Sequence, residues 1–241
     1  MDLHPAGATS SYAYGVSGGQ QVGYAIVAGL RHASLWSGTA ASWVDLHPAG
    51  PSQSDAYGIS GGQQVGNTDG QAALWSGTAA SWVNLHPAGA TYSYATGVFG
   101  GQQVGYVQGS ADHASLWSGS AASWVDLHAF VPAVFDQSYA ESIWSDGSST
   151  YVVGHGFNTV TRSDEALMWV GAAPVCCAGD FDGNHVVTNA DIPDFVTALL
   201  AGGACPVPPA CCPGDFNPDG VIDGTDIPGF VAKLLAGGAC P

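Results

Sequence analysis

The sequence predicts a mainly β chain, a β-propeller of four blades followed by a small all-α module at its C-terminal end. Three observations carry that expectation. Residues 2–170 repeat at about 40 residues, a period that marks propeller blades and other repeat arrays. Each repeat breaks into four short β-prone runs separated by Gly, Ser and Asn, as in SYAYGV, QQVGYAIV, HASLWSG and SWVDLHP. A second repeat, GDFDGNHVVTNADIPDFVTALLAGGAC returning as GDFNPDGVIDGTDIPGFVAKLLAGGAC, then joins an acidic loop to helical apolar spacing. The expected domains are 1–171, a linker over 172–175, and 176–241.

The blade markers recur in order. GGQQVG occupies 18–23, 61–66 and 100–105, and SLWSG or ALWSG ends at Gly38, Gly77 and Gly119. Asp2, Asp45, Asn84 and Asp126 begin successive DLH or NLH runs. The fourth unit keeps YVVG at 151–154 and ALMW at 166–169 but has no SWVDLHP strand. The chain's MDLHP is half of such a strand, so Asp2 to Pro5 are expected to pair beside the strand ending at Val170 and close a four-bladed ring. The alternative is that these blades belong to a larger propeller.

Composition bounds the function. Among 241 residues there are 35 Gly and 8 Trp, and 19 Asp and Glu against 3 Lys and Arg give a formal charge of -16. Such a charge repels nucleic acid and anionic lipid and favours divalent cations. No apolar run reaches the roughly 20 residues of a membrane helix, so no membrane insertion is expected. Cys176, Cys177 and Cys205 repeat their spacing in Cys211, Cys212 and Cys240. An even set confined to one segment points to disulfides and an extracellular or cell-surface location, with zinc as the competing reading and the connectivity open. MDLHPAGATSSY shows no export signal, so a truncated or mis-started chain is expected.

Several motifs in the blades read as structure. GVSGG at 15–19 and GISGG at 58–62 match a nucleophile elbow, yet the match repeats, becomes GVFGG, and is followed by a strand-like run; a β-turn accounts for it. His4, His47, His86 and His128 recur at one position per unit. They would form a metal or anion site if they faced an axis, and they hydrogen-bond a turn in each blade otherwise. Trp36, Trp75, Trp117 and Trp169 are expected to pack between blades.

The C-terminal repeats carry the chemistry. Asp180, Asp182, Asn184, Val186, Thr188 and Asp191 stand at positions 1, 3, 5, 7, 9 and 12 of a loop, and Asp215, Asn217, Asp219, Val221, Asp223 and Asp226 take the same places in the second. Calcium takes six to eight oxygens, and alternate side-chain oxygens, a carbonyl at position 7 and a bidentate carboxylate at position 12 wrap one ion, so two calcium ions are expected. Gly220 suits the sharp turn at position 6, whereas His185 does not, making the first loop the weaker. Ile192, Phe195, Val196, Leu199 and Leu200 match Ile227, Phe230, Val231, Leu234 and Leu235 as one apolar stripe per helix.

HASLW at 32–36 and 113–117, after QQVG and before DLH, resembles the HAF extracellular repeat over residues 2–170. Ser34 and Ser115 stand where that repeat has Phe, and the resemblance implies an exported β-repeat protein without defined chemistry. The two loop-helix units resemble a type I dockerin module over residues 176–241. That resemblance implies docking onto a cohesin-like module or cell-surface scaffold, through Asn189, Ala190, Gly224, Thr225 and Lys233. The Ser-Thr pair of cellulosomal dockerins is missing, and the cysteines are an addition. The leading expectation is a non-catalytic extracellular display or binding domain held by a calcium-dependent module, with a carbohydrate among its ligands. The alternatives are a dockerin-targeted polysaccharide enzyme, using acids among Asp136, Glu141, Asp146, Asp164 and Glu165, and a structural surface component.

Overall fold

A computed structural model describes residues 1–146, 149–172, 179, 181, 187–189, 191–202, 214, 216 and 221–236. The chain divides into two compact units, Met1–Trp144 with Tyr151–Val170, and Ser145–Thr150 with Gly171–Pro241. The described residues are mainly β, in four antiparallel sheets, with two α-helices.

The first sheet is a meander of β1 (Ser10–Ser17), β2 (Gln20–Val27), β3 (Leu30–Trp36) and β4 (Val44–Asp45). The second repeats it as β5 (Ser54–Ser60), β6 (Gln63–Thr68), β7 (Gln71–Trp75) and β8 (Val83–Asn84). The third is β9 (Tyr92–Phe99), β10 (Gln102–Gln108), β11 (Asp112–Trp117) and β12 (Val125–Asp126). The fourth has β13 (Phe135–Ser145), β14 (Ser149–Asn158) and β15 (Ser163–Ala172) and, among the described residues, no fourth strand. Part of the expected linker is thus strand, since Ala172 ends β15; residues 173–175 lie outside the described residues.

The nucleophile-elbow match is a hairpin turn. Gly18 and Gly19 join β1 to β2 with φ of 55° and 78°, both in the left-handed region that a two-residue hairpin turn demands and that a side chain resists. The fourth run of each unit is shorter than expected. Ala40–Ser42, Ala79–Ser81 and Ala121–Ser123 form single 3-10 turns, leaving only two residues of strand behind each. Ser42 and Ser81 close these turns by donating to the Thr39 and Thr78 carbonyls at 2.7 Å. Local side-chain bonding of this kind competes with a β-ladder.

Successive sheets pack face to face through three similar cores. The first joins Val22, Ala33 and Leu35 to Ala56, Ile59 and Trp75, with Leu46 from the DLH run between them. The second uses Val65, Ala72, Leu74 and Leu85 with Ala95, Val98 and Trp117. The third uses Val104, Ala114 and Leu127 with Ala140, Ile143 and Trp169. Recurring Trp and Leu fill the junctions, as core packing between repeats requires. Glycine permits the approach: a Cβ on Gly15 would lie 2.8 Å from the Tyr57 carbonyl oxygen, and one on Gly58 2.7 Å from that of Thr96.

Among the described residues, no backbone hydrogen bond joins Asp2 to Pro5 to β15. His4 lies against the first sheet, bonding Ser11 Oγ and the Ala8 carbonyl at 3.0 Å. Leu46 and Leu85 each donate a backbone N–H to a preceding third strand, at Ala33 and Ala72, both 2.8 Å. Among the described residues Leu3 makes no such bond.

In the second unit, α1 (Ile192–Ala201) and α2 (Ile227–Leu235) start with Pro at the second helical position, where its missing N–H costs nothing. Phe195 and Phe230, one from each helix, stack at 4.0 Å between ring centroids. Phe181 and Phe216 meet both rings edge-on, giving a shared core with Val187. No helix among the described residues is long and apolar enough to cross a membrane.

Candidate functional site

The repeated histidines serve the sheet junctions. The Nδ1 atoms of His47, His86 and His128 lie 2.8 Å from the hydroxyls of Ser54, Ser93 and Ser138. Those same hydroxyls accept the backbone N–H of Ala33, Ala72 and Ala114 from the preceding sheet, at 2.8, 2.8 and 3.1 Å. A hydroxyl that accepts the amide keeps its own hydrogen free to donate to the Nδ1 of a neutral imidazole. Burial, then the neighbouring His32 or His113, lowers the pKa of His47 and His128. His32 and His113 stack on those rings at 4.2 and 4.1 Å and bond Asp45 and Asp126 at 2.8 and 2.9 Å. Each histidine is thus committed to its own junction, and the described residues contain no group of three or more metal-ligating side chains.

A second feature, absent from the sequence reading, crosses all four sheets. The cross-strand pairs Tyr12–Tyr24 and Tyr94–Tyr106 stack at 4.9 and 5.2 Å, and Tyr139 stacks on His155 at 4.9 Å. Tyr14 meets Tyr57 at 5.8 Å and Tyr106 meets Tyr139 at 5.0 Å, linking neighbouring sheets. In the second sheet the stacked pair is replaced by Asp55 and Asn67, which face each other in register. Tyr14, Tyr57 and Thr96 are the extra residues of three matching β-bulges, and a bulge re-aims the side chain it carries.

Polar groups are interleaved with these rings. Arg31 pairs with the buried Asp55 at 3.3 Å, bonds Gln53 at 3.0 Å, and sits 5.5 Å from the centre of the Tyr24 ring. Asn67 donates to the Tyr57 hydroxyl at 2.7 Å, and the Tyr139 hydroxyl donates to Asp112 at 2.6 Å. Burial first, then neighbouring tyrosines, pushes Tyr14 and Tyr106 up to about 12. Burial raises Tyr57, Tyr139 and the carboxyl of Asp55 as well. These four phenols therefore remain neutral hydrogen-bonding groups, and the band offers flat apolar faces rimmed by hydroxyls, an amide and carboxylates.

Three of the acids singled out in the fourth unit have local polar partners. Glu165 accepts from Thr161 at 2.6 Å and Asn158 at 3.0 Å, bonds that hold its pKa down, opposite to what a general acid needs. Glu141 faces His155 at 3.6 Å, and Asp146 accepts the Ser149 N–H at 2.8 Å in a turn. Asp136 and Asp164 are exposed.

Of the expected calcium ligands, Thr188, Asp191, Val221, Asp223 and Asp226 are described. Asp180, Asp182, Asn184, Val186, Asp215, Asn217 and Asp219 lie outside the described residues, as do Ala190 and all six cysteines. The position-12 carboxylates are fully buried in matching arrangements. Asp191 accepts the N–H of Phe181 and of Thr188, both at 2.8 Å; Asp226 accepts those of Phe216 and Asp223, at 2.7 and 2.9 Å. Each carboxylate therefore ties loop positions 2 and 9 to the helix start. Asp223 also accepts from the Thr225 hydroxyl at 2.6 Å, which lowers its pKa. Among the expected partner-binding residues, Gly224 and Thr225 are exposed, Asn189 is exposed beside the first loop, and Lys233 lies in the last turn of α2.

The helices leave part of their apolar stripe uncovered. Phe195 and Phe230 face the core, while Ile192, Val196 and Leu200 on α1 and Ile227, Val231 and Leu235 on α2 are exposed. Spacing of four residues puts each trio along one side of its helix. No family model, curated protein or solved structure matches the chain.

Proposed function

We propose that the chain is a non-catalytic extracellular protein in which a β-propeller display or binding domain is attached to a partner by a calcium-dependent, dockerin-like module. The observation that carries this reading is the duplicated uncovered flank, Ile192, Val196 and Leu200 matched by Ile227, Val231 and Leu235. Helical flanks of this kind, presented twice on one stacked Phe core, suit docking into an apolar partner surface such as a cohesin-like module. Asn189, Ala190, Gly224, Thr225 and Lys233 would border that contact.

Calcium would be held by Asp180, Asp182, Asn184, Val186, Thr188 and Asp191, and by Asp215, Asn217, Asp219, Val221, Asp223 and Asp226. When bound, it neutralises the crowded carboxylates and fixes each loop against its helix. Metal binding and disulfides would then supply much of the stability of a module too small for a large core. Calorimetric titration of the full chain tests this. Two calcium sites are expected, the first weaker, and no uptake at either loop would remove the docking reading.

For the β domain, the tyrosine band favours a carbohydrate ligand. Sugar rings present C–H faces to aromatic rings and hydroxyls to the Tyr, Asn and Asp groups between them. The four sheets would be successive propeller blades with this band along one side.

A further inference from the structure

The outward faces of the first and fourth sheets carry the two halves of a junction that the chain builds three times within itself. At the internal junctions the earlier sheet supplies Val22, Ala33 and Leu35 or their counterparts, and the later sheet supplies Ala56 and Ile59 or theirs. On β1 the later-sheet positions are Ala13 and Val16. Both are exposed, Val16 at 72% where Ile59 is at 9%. On the fourth sheet the earlier-sheet positions are Val153, Ala166 and Met168. All three are exposed, Val153 at 45% where Val22, Val65 and Val104 are at 0%.

The polar parts of the junction are split in the same way. Ser11 bonds His4 at 3.0 Å, as Ser54 bonds His47 at 2.8 Å. Ser54 also receives the Ala33 N–H, whereas among the described residues Ser11 receives none. Among the described residues the fourth sheet ends at β15, without the short strand that covers Ser34 and Leu35 in the first sheet. A cleft of about 240 Å³ remains beside the first sheet, lined by Leu3, His4, Ser11, Ala13 and Trp36 among others.

We propose that these faces bind each other head to tail between two copies of the chain, Val153, Ala166 and Met168 of one copy packing on Ala13 and Val16 of the next. A second copy is the occupant because the surface each face requires is the one the chain carries at its other end. The partner's Asp2 and Leu3 would lie along β15 as Asp45 and Leu46 lie along β3, and its Ser11 would take the Ala166 N–H. The contact is heterologous, so blocking one face on a molecule leaves the other competent. The residues that make it all belong to the first compact unit.

Sedimentation of the full chain across a dilution series, in chelator, tests the proposal. The wild type is expected to associate reversibly. Val16→Asp and Met168→Asp, both at positions already exposed in the single chain, should each weaken self-association on the order of 100-fold, because either would bury an unpaired carboxylate. Mixed together they should form a one-to-one dimer through their two intact faces. Ala13→Glu with Ala166→Glu repeats the test at neighbouring positions should either first variant lose its β circular dichroism. A wild type that stays monomeric overturns the proposal, as does association that the variants leave intact or that the mixed pair fails to restore. Association lost in chelator would assign it to the helical module instead.

Discussion

Ala73→Ser should stabilise the β domain, because one junction is missing a hydroxyl that two others have. The Trp43 and Trp124 indole N–H groups donate to Ser34 and Ser115 Oγ at 2.9 Å, and each serine passes its own hydrogen to the carbonyl of His32 or His113, also 2.9 Å. The second unit has Ala73 there, and the Trp82 indole nitrogen is buried with no partner. Ser34, Ala73 and Ser115 are all fully buried, so the pocket around each already fits a residue of this size. Restoring the bond should contribute about 1 kcal/mol, and relief of the unsatisfied indole could bring the total toward about 3 kcal/mol. For a chain of this length, each kcal/mol raises the melting temperature by about 2–4 °C. Ser34→Ala and Ser115→Ala should lose about 1–3 kcal/mol each by orphaning their indoles. Urea melts followed by tryptophan fluorescence read all three. If Ala73→Ser leaves the midpoint unchanged while Ser34→Ala is also neutral, the indole bonds do not hold these junctions.

Acid should weaken the sheet junctions. The folded-state pKa values of His47 and His128 lie below the unfolded value near 6.5, so their stabilisation is complete above that pH and is lost as pH falls through the depressed folded values. Thermal melts from pH 7.5 down to 5 should show a declining midpoint, less steep in His47→Gln; a midpoint that rises on acidification would contradict the neutral-imidazole assignment. Asp226→Asn keeps an acceptor for the loop amides but removes the charge, and should abolish the tighter calcium step while leaving the β-sheet signal intact. Asp191→Asn should have the smaller effect, because His185 already weakens its loop. Replacing Tyr94 and Tyr106 together by Ala should weaken retention on immobilised polysaccharide by at least about tenfold if each stacking face is worth about 1 kcal/mol. Equal retention of wild type and variant would separate the tyrosine band from sugar binding.

The repeat period, the mainly β class and the positions of the first three strands in each unit were legible because apolar alternation and Gly-Gly turns report local backbone geometry. SWVDLHP misled as a strand because its β-branched and aromatic content outweighed the turn-forming serine that opens it. Ser42 Oγ accepts the Ser37 N–H at 2.7 Å and bends the chain into a 3-10 turn, leaving Val44 and Asp45 alone on the ladder. The histidine role was half visible. Recurrence pointed to a turn, but the serine that each ring bonds stands on the next sheet, so only the fold could bring the pair together. Ring closure was not legible at all, since MDLHP reads alike whether it meets the strand ending at Val170 or lies only on the first sheet.

The tyrosine band escaped the sequence because the search rewarded sameness. Its positions are those at which otherwise matching strands differ: Tyr12, Asp55, Tyr94 and Tyr139 on the first strands, opposed by Tyr24, Asn67, Tyr106 and His155 on the second. Junction positions cannot vary in this way, because Val22, Val65 and Val104 each fill a packed interior where a changed volume is felt directly. A repeated fold therefore separates two kinds of residue. Those that recur hold one sheet to the next, and those that change while the backbone register stays fixed are free to answer to a ligand. Asp55 departs furthest, since burying its carboxylate requires Arg31 and Asn67 nearby. That burial falls on the second sheet, at the position where the first and third carry a stacked tyrosine, and packing stability alone does not account for it.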